Sequence, residues 1–445
     1  MFALGEPITS FSCSTYQCTD LEPFTLENST MSQGAVPQQS VSLSPCVHPR
    51  VTEVQTTITS HFPHLWPAVE AGLSTCATLL LADNSNPVAL IYVGPPSAGK
   101  TTVVSMFEGA TVNGQDFCYR SDKFTTAAFV SQSAKVAGQD LCKVDLLPRI
   151  KHKVLLTPEL STIFRGKQDE LAERFSTITR ILDGHGFTTD SGTHGQRGYT
   201  GDFLFAWLGA TTPFEPIVWK VMAQLGSRMF FLVMDAVAEP TLQELVEVHR
   251  KPAVYQDGLN RCRTAMHQFL DALFTQRGGV RGVQWKPEDN PSEVLETIAS
   301  CARLLAILRT PYEEGSGHQS ESPHRANAVL YNVARGHALV SGRTQLALED
   351  LPTVVQVTLS SIPFRRRAVL LLMAENRGTP VTVTQVEKAT RVSRHTAEAT
   401  MREMEALGLM EFQHEGVGRP ALLAIKNEWA WCMAEGFRAL LVSRT

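Results

Sequence analysis

The chain has 445 residues, 43% of them hydrophobic and 19% charged, with a formal net charge of −4. That length exceeds one ordinary core and implies roughly two to four domains. The composition excludes a globally disordered or fibrous chain, and the overall charge is not that of a protein that coats nucleic acid.

No stretch approaches the ~18 uninterrupted apolar residues of a membrane span. The start, Met1-Phe2-Ala3-Leu4-Gly5-Glu6-Pro7, has no basic flank followed by an apolar run, so no secretory signal is expected. Nine cysteines, an odd number with no CxxC pair, read as reduced and mostly buried thiols, and the expected location is cytoplasmic. Cys13, Cys18, Cys46 and His48 formally offer four zinc ligands, but their spacing matches no standard finger.

Residues 1–50 carry only Glu6, Asp20, Glu22, Glu27 and Arg50 as charges, amid Ser, Thr, Gln and Pro, and read as a low-complexity, poorly ordered tail. An amphipathic segment is expected at His64–Leu81, followed by the turn signal Asn84-Ser85-Asn86-Pro87. Val88-Ala89-Leu90-Ile91-Tyr92-Val93 reads as a strand buried on both faces. Further buried strands are expected at Lys153–Thr157, Phe203–Gly209 and Met229–Met234, with helical patterns between them, which argues a parallel α/β sheet.

Gly94-Pro95-Pro96-Ser97-Ala98-Gly99-Lys100-Thr101 fits G-x-x-x-x-G-K-[ST], directly after that strand and before the helix-compatible run Thr102–Phe107. Glycines let backbone N–H groups curl around phosphate oxygens, and a helix N-terminus adds its positive dipole end. Lys100 is expected to reach the β- and γ-phosphates of ATP, and Thr101 to ligate Mg²⁺. Val154-Leu155-Leu156-Thr157-Pro158-Glu159 is a strand ending in Pro-Glu, and Glu159 sits where a carboxylate would polarise an attacking water. Asp235, after Phe230–Met234, is the rival carboxylate.

The order of these parts, over roughly residues 85–355, resembles an AAA+ ATPase of the minichromosome-maintenance (MCM-like) helicase group. Leu208-Gly209-Ala210-Thr211-Thr212-Pro213 is similar to the sensor-1 strand end, and the resemblance gives Thr212 the γ-phosphate-sensing role. Leu225-Gly226-Ser227-Arg228, ahead of an apolar strand, is similar to the arginine-finger segment. His324-Arg325-Ala326-Asn327 through Leu348-Glu349-Asp350-Leu351 resembles the helical lid, with Arg325 as sensor 2.

Departures are Thr-Pro-Glu in place of Asp-Glu, Thr212 in place of Asn, and no typical MCM N-terminal DNA-binding domain. Gly184–Tyr199, with glycines between β-formers, reads as a hairpin. The resemblance points that hairpin into a ring channel, with His194 and Arg197 at the tip as DNA contacts. A Gly-rich surface loop without a ligand is the competing reading.

From Pro363 the pattern is helix, strand, helix, turn, helix, hairpin, the order of a winged helix-turn-helix. Thr384-Gln385-Val386-Glu387 reads as a capping box, Ser393 as the cap of a helix reaching about Leu407, and Leu409–Ile425 as a hairpin. Arg394, His395, Thr396 and Arg402 are candidate major-groove contacts and Arg419 a candidate wing contact. Twelve Lys/Arg oppose nine Glu from Phe364 to Thr445, a local +3, leaving −7 for the remainder. Protein contacts are the competing use of this module, and Arg365-Arg366-Arg367 reads equally as a solvated helix start.

The expected architecture is therefore an α/β P-loop AAA+ core with parallel sheet over residues 51–240, a helical lid over 241–358, and a C-terminal winged helix-turn-helix over 363–445. The expected function is a DNA-dependent ATPase, helicase-like, acting as a homo-oligomeric ring on DNA with ATP and Mg²⁺. A nucleotide-switched winged-helix regulator of transcription or defence, without translocation, is the alternative. A metabolic P-loop kinase explains neither the lid-like helices nor the C-terminal module.

Overall fold

The computed structural model describes residues 50–131, 141–191, 195–226, 228–235, 241–243, 246, 250, 253–312, 321–413 and 421–442. The tail, the four formal zinc ligands, His194, Arg419 and most of Glu314–Ser322 lie outside the described residues.

Helix α1 (Val51–His61) buries Val54 and Ile58, four residues apart on one face. After a Pro63–Leu65 turn comes α2 (Trp66–Ala77). This stretch is not the amphipathic helix its sequence suggests. Nearly every residue of α2 is buried, because the helix is packed between the sheet on one side and a later helix on the other.

Strand β1 (Val88–Val93) is buried along its whole length. Helix α3 (Lys100–Phe107) follows, then the small pair β2 (Thr111–Val112) and β3 (Gln115–Asp116), and β4 (Cys118–Arg120). Short helices α4 (Leu141–Val144) and α5 (Leu146–Ile150) lead to β5 (Val154–Thr157) and α6 (Gln168–Ile181). An antiparallel hairpin of β6 (Gly186–Ser191) and β7 (Gly195–Thr200) precedes β8 (Ala206–Thr211), α7 (Pro216–Leu225) and β9 (Met229–Val233).

Five of these strands form one parallel sheet in the order β4-β5-β8-β1-β9. The β8 ladder begins three residues later than the apolar run suggests. Its register with β1 starts at Val88↔Ala206, while Phe203, Leu204 and Phe205 are buried as the lead-in.

Alternation along the strands sends Val88, Leu90, Tyr92 and Leu208 to one face and Ala89, Ile91, Trp207 and Phe231 to the other. The first face is covered by α2, α3 and helices downstream of the sheet; the second is covered by α6 and α7. Each fully buried aliphatic or aromatic side chain contributes roughly 1.5–3 kcal/mol relative to exposure.

Helices α8 (Ala253–Gln276), α9 (Ser292–Arg309), α10 (His324–Val340) and α11 (Leu351–Ser360) form the downstream layer. Helix α10 lies against α2 at Gly336, where a Cβ would stand 2.0 Å from the Ser74 carbonyl oxygen.

The C-terminal portion has α12 (Phe364–Glu375), β10 (Val381–Thr382), α13 (Val383–Thr390), α14 (Arg394–Ala406), β11 (Met410–Gln413), β12 (Leu422–Ile425) and α15 (Glu435–Val442). Its antiparallel sheet has the order β10-β12-β11. The cap of α13 falls two residues earlier than the sequence suggests. The Thr382 and Gln385 side chains reciprocate at 3.3 and 2.8 Å with each other's backbone N–H.

Arg366 corrects the solvated-start reading of Arg365–Arg367. It is buried, and its Nη1 donates to the carbonyls of Leu308 and Thr310, both at 2.7 Å. Its Nε and Nη2 donate to Glu403 of α14 at 3.1 and 2.5 Å, so one guanidinium ties the C-terminal portion to the end of α9.

Candidate functional site

The Gly94–Thr101 loop leaves the C-terminal end of β1 and enters α3. Gly94 N–H donates to the carbonyl of Thr211 at 3.3 Å, which ties the start of the loop to the end of β8. Gly99 has φ of 83°, a left-handed turn that redirects the chain into the helix. The N–H groups of Lys100, Thr101 and Thr102 then open α3 with no carbonyl one turn back to bond.

Lys100 is buried, and its ammonium donates to the carbonyls of Gly94 at 2.7 Å and Pro95 at 2.6 Å. Burial lowers its pKa, and the nearby Glu159 carboxylate opposes that shift. Pro96, Ser97 and Thr101 are exposed, whereas Ala98 is buried beneath the turn.

The loop tolerates no side chain at its first position, where a Cβ would stand 2.4 Å from the Met234 carbonyl oxygen. A cation at the centre, unspent helix N–H groups and a close-packed glycine backbone suit a polyphosphate. Among the described residues no group of three or more His, Cys, Asp or Glu forms a metal cage. A divalent ion brought with a nucleotide would be held by the Thr101 hydroxyl and by the phosphates themselves.

Glu159 lies at the same edge of the sheet. Thr157 pairs with Gly209, and Leu160 N–H donates to Ala210 O at 2.7 Å, so the exposed Glu159 sits level with the end of β8. Its carboxylate accepts from Ser161 N–H at 2.7 Å. Pro158 beside it is buried. Thr212, half-buried, follows the last residue of β8, and the Thr211 hydroxyl donates to its carbonyl at 3.0 Å.

The rival Asp235 is directed elsewhere: with Val233, Gln356, Ser360 and Leu440 it lines a cleft against Arg367 of α12. Burial lowers the Arg367 pKa and Asp235 opposes it, so the Asp235 charge acts on α12 while that of Glu159 acts on Lys100.

Arg228 and Arg325 stand at the opposite edge. Arg228 immediately precedes Met229, which pairs with Ala89 near the start of β1. Five residues at ~3.3 Å each separate that level from Gly94, farther than an arginine side chain extends. Within one chain, neither Arg228 nor its neighbour Arg325 meets the Gly94–Thr101 loop.

The two arginines meet each other instead. Arg228 Nε donates to Asp183 Oδ1 at 3.2 Å and its Nη1 to Gly226 O at 2.6 Å. Arg325 Nη2 donates to the same Asp183 oxygen, and its Nη1 reaches Asn86 Oδ1 at 3.4 Å. Burial lowers the Arg325 pKa, reinforced by the Arg228 charge and opposed by Asp183 and Glu321. Burial likewise raises the Glu321 carboxyl, against three surrounding arginines, Arg309, Arg228 and Arg325.

The hairpin of β6 and β7 is fixed at its base. Tyr199 is buried and its hydroxyl donates to Asp145 Oδ2 at 2.8 Å; the other Asp145 oxygen accepts from Ser131 N–H at 2.9 Å. Burial, then this carboxylate, pushes the Tyr199 phenol well above its usual range. Arg197 is half-buried on β7 opposite Thr189 rather than at the tip.

On α14, Arg394, His395 and Arg402 are exposed, with Arg394 Nε 3.4 Å from Glu398. Thr396, half-buried, lies in the first turn of the helix, its hydroxyl 3.0 Å from that of the capping Ser393.

Sequence reasoning missed Asp183 and Glu321, which gather the arginines. It also missed the wall beside α3, where Tyr255 Oη lies 2.8 Å from Thr102 Oγ1 and Phe62 meets Tyr255 edge-on at 5.5 Å. The only local signal for Asp183 is a helix end before Gly184, which says nothing about a partner 142 residues away. No protein-family model matches this sequence, and no curated protein sequence matches it either. Among the described residues no helix is long and apolar enough to cross a membrane.

Proposed function

We propose that the chain is an AAA+-type ATPase, MCM-like in the order of its parts, that forms its active sites between subunits of a ring and works on DNA. One observation carries the reading: Lys100 and Glu159 share one edge of the parallel sheet while Arg228 and Arg325 share the other. A head-to-tail contact brings these two edges together, and repeated contacts of that kind generate a ring when the rotation between subunits closes.

In that assembly the Gly94–Thr101 backbone and Lys100 bind the phosphates of ATP, with Thr102 at the helix start and Thr101 on Mg²⁺. Mg²⁺ held there by the Thr101 hydroxyl and the phosphates would neutralise charge on the terminal phosphates. Glu159 would accept a proton from the attacking water, and Thr212 would orient it. Arg228 and Arg325 of the adjacent subunit stabilise the charge that builds on the transferred phosphoryl group. The strand order, with β8 between β1 and β5, supports this division of labour by setting Glu159 one strand beyond Thr212.

The β6–β7 hairpin, leading directly into β8, would transmit the nucleotide state to DNA through Arg197. The C-terminal portion, a winged helix in its element order, offers Arg394, His395, Thr396 and Arg402 to a duplex, with the Thr396 hydroxyl 3.0 Å from that of Ser393.

The test is DNA-stimulated ATPase activity together with particle mass in ATP and Mg²⁺. Lys100→Ala is expected to abolish nucleotide binding, and Arg228→Ala to abolish turnover while sparing it. A chain that stays monomeric under all conditions, or an Arg228→Ala protein with full activity, refutes the shared site. Pro158 in place of a second carboxylate favours a slow hydrolase and hence the switch alternative; strand displacement on a forked duplex excludes a pure switch.

A further inference from the structure

We infer that Asp183 is a positioning residue that holds Arg228 and Arg325 as one unit for the neighbouring subunit's nucleotide. The inference rests on the intersubunit reading above and adds to it a residue that touches neither nucleotide nor DNA.

The two arginines come from elements far apart in the chain, the turn before β9 and the first turn of α10. Two guanidinium cations repel at close range, and partial burial strengthens the repulsion. A single carboxylate oxygen, Asp183 Oδ1, accepts from both, and Oδ2 lies 3.7 Å from Arg180 Nη1 on the preceding turn.

Asp183 is itself immobilised. Its N–H donates to Arg180 O at 3.2 Å, and Gly184, at φ of 80°, donates to Ile181 O at 3.1 Å and accepts from Phe203 N–H at 2.8 Å. The carboxylate is only 16% exposed, so water competes weakly for it. Gly226 O and Asn86 Oδ1 fix one further nitrogen on each arginine. The pair is thus aligned before any neighbour arrives, which removes an ordering cost from the reaction.

The test uses the full chain with Asp183→Asn, which keeps shape and removes charge, and Asp183→Glu. Misplacing a catalytic group by ~1 Å costs about 10²-fold in rate, so Asp183→Asn is expected to lose kcat on that scale with the KM for ATP little changed. Asp183→Glu is expected to recover part of the loss.

Mixing Asp183→Asn subunits with Lys100→Ala subunits is the decisive arm. The Lys100→Ala subunit supplies an intact arginine edge to the intact phosphate loop of the other, so the mixture regains turnover that neither has alone. That recovery also shows that the Asp183→Asn chain is folded. Loss in both variants without recovery on mixing, or Asp183→Asn with unchanged or raised kcat while Arg228→Ala is inactive, overturns the role of Asp183 alone. An active Arg228→Ala protein overturns the shared site itself.

Discussion

His337 of α10 makes a pH-dependent contribution to stability whose size follows from its surroundings. The ring is 8% exposed, with Nδ1 2.6 Å from Asp350 Oδ1 and Nε2 3.5 Å from Glu70 Oε1 of α2. Burial alone lowers its pKa, but hydrogen bonds to Asp350 and Glu70 outweigh burial and raise it to about 9. Asp350, which is fully buried, also accepts from Arg343 at 2.6 and 3.0 Å and from Ala347 N–H at 2.7 Å, and its own pKa is lowered.

A folded pKa above the unfolded value of 6.5 means that stabilisation is complete below about pH 6.5 and is lost as pH rises through about 9. At 1.36 kcal/mol per pH unit the full contribution is about 3 kcal/mol. Urea unfolding between pH 6 and 10, wild type against His337→Gln, measures it. The variant is expected to be about 3 kcal/mol less stable at pH 6, with the gap closing by pH 10. A gap independent of pH refutes the assignment of a protonated, doubly bonded imidazole. Because α10 also carries Arg325, turnover is expected to fall over the same alkaline range.

Three other expectations are tested by stability or exchange measurements. Arg366→Met leaves Glu403 and two carbonyls without their partner and is expected to cost about 3–5 kcal/mol, with faster hydrogen exchange in α12; the exposed Arg365→Met serves as an unaffected control. Gly336→Ala gains ~1 kcal/mol of helix propensity but drives a methyl into the Ser74 carbonyl, so thermal unfolding is expected to show net destabilisation. Tyr199→Phe strips a hydrogen bond from the buried Asp145, costing about 1–3 kcal/mol at the hairpin base, and is expected to lower DNA stimulation more than basal ATPase activity.

Local chemistry made much of the fold legible in the sequence. A continuous apolar run, a glycine-bounded loop and a helix-compatible segment gave β1, the Gly94–Thr101 loop and α3 within a residue or two. The glycines between β-formers gave the β6–β7 hairpin, and the C-terminal order of elements was legible for the same reason. Each of these follows from periodicity or backbone freedom over a few neighbouring residues.

What surrounds an element was not legible. The burial of α2 on nearly all sides, the withdrawal of Arg366 from solvent and the turning of Asp235 towards Arg367 depend on which helices pack there.

The net charge of −4 and the 445-residue length left the function open. The sequence by itself determined a glycine-bounded loop between a buried strand and a helix, because that requires only adjacent residues. Only the tertiary structure decided that Lys100 and Glu159 share one edge while Arg228, Arg325 and Asp183 gather at the other. Parallel pairing sets those levels through hydrogen bonds between segments far apart in the chain, so they follow from which strands lie side by side and not from any one segment.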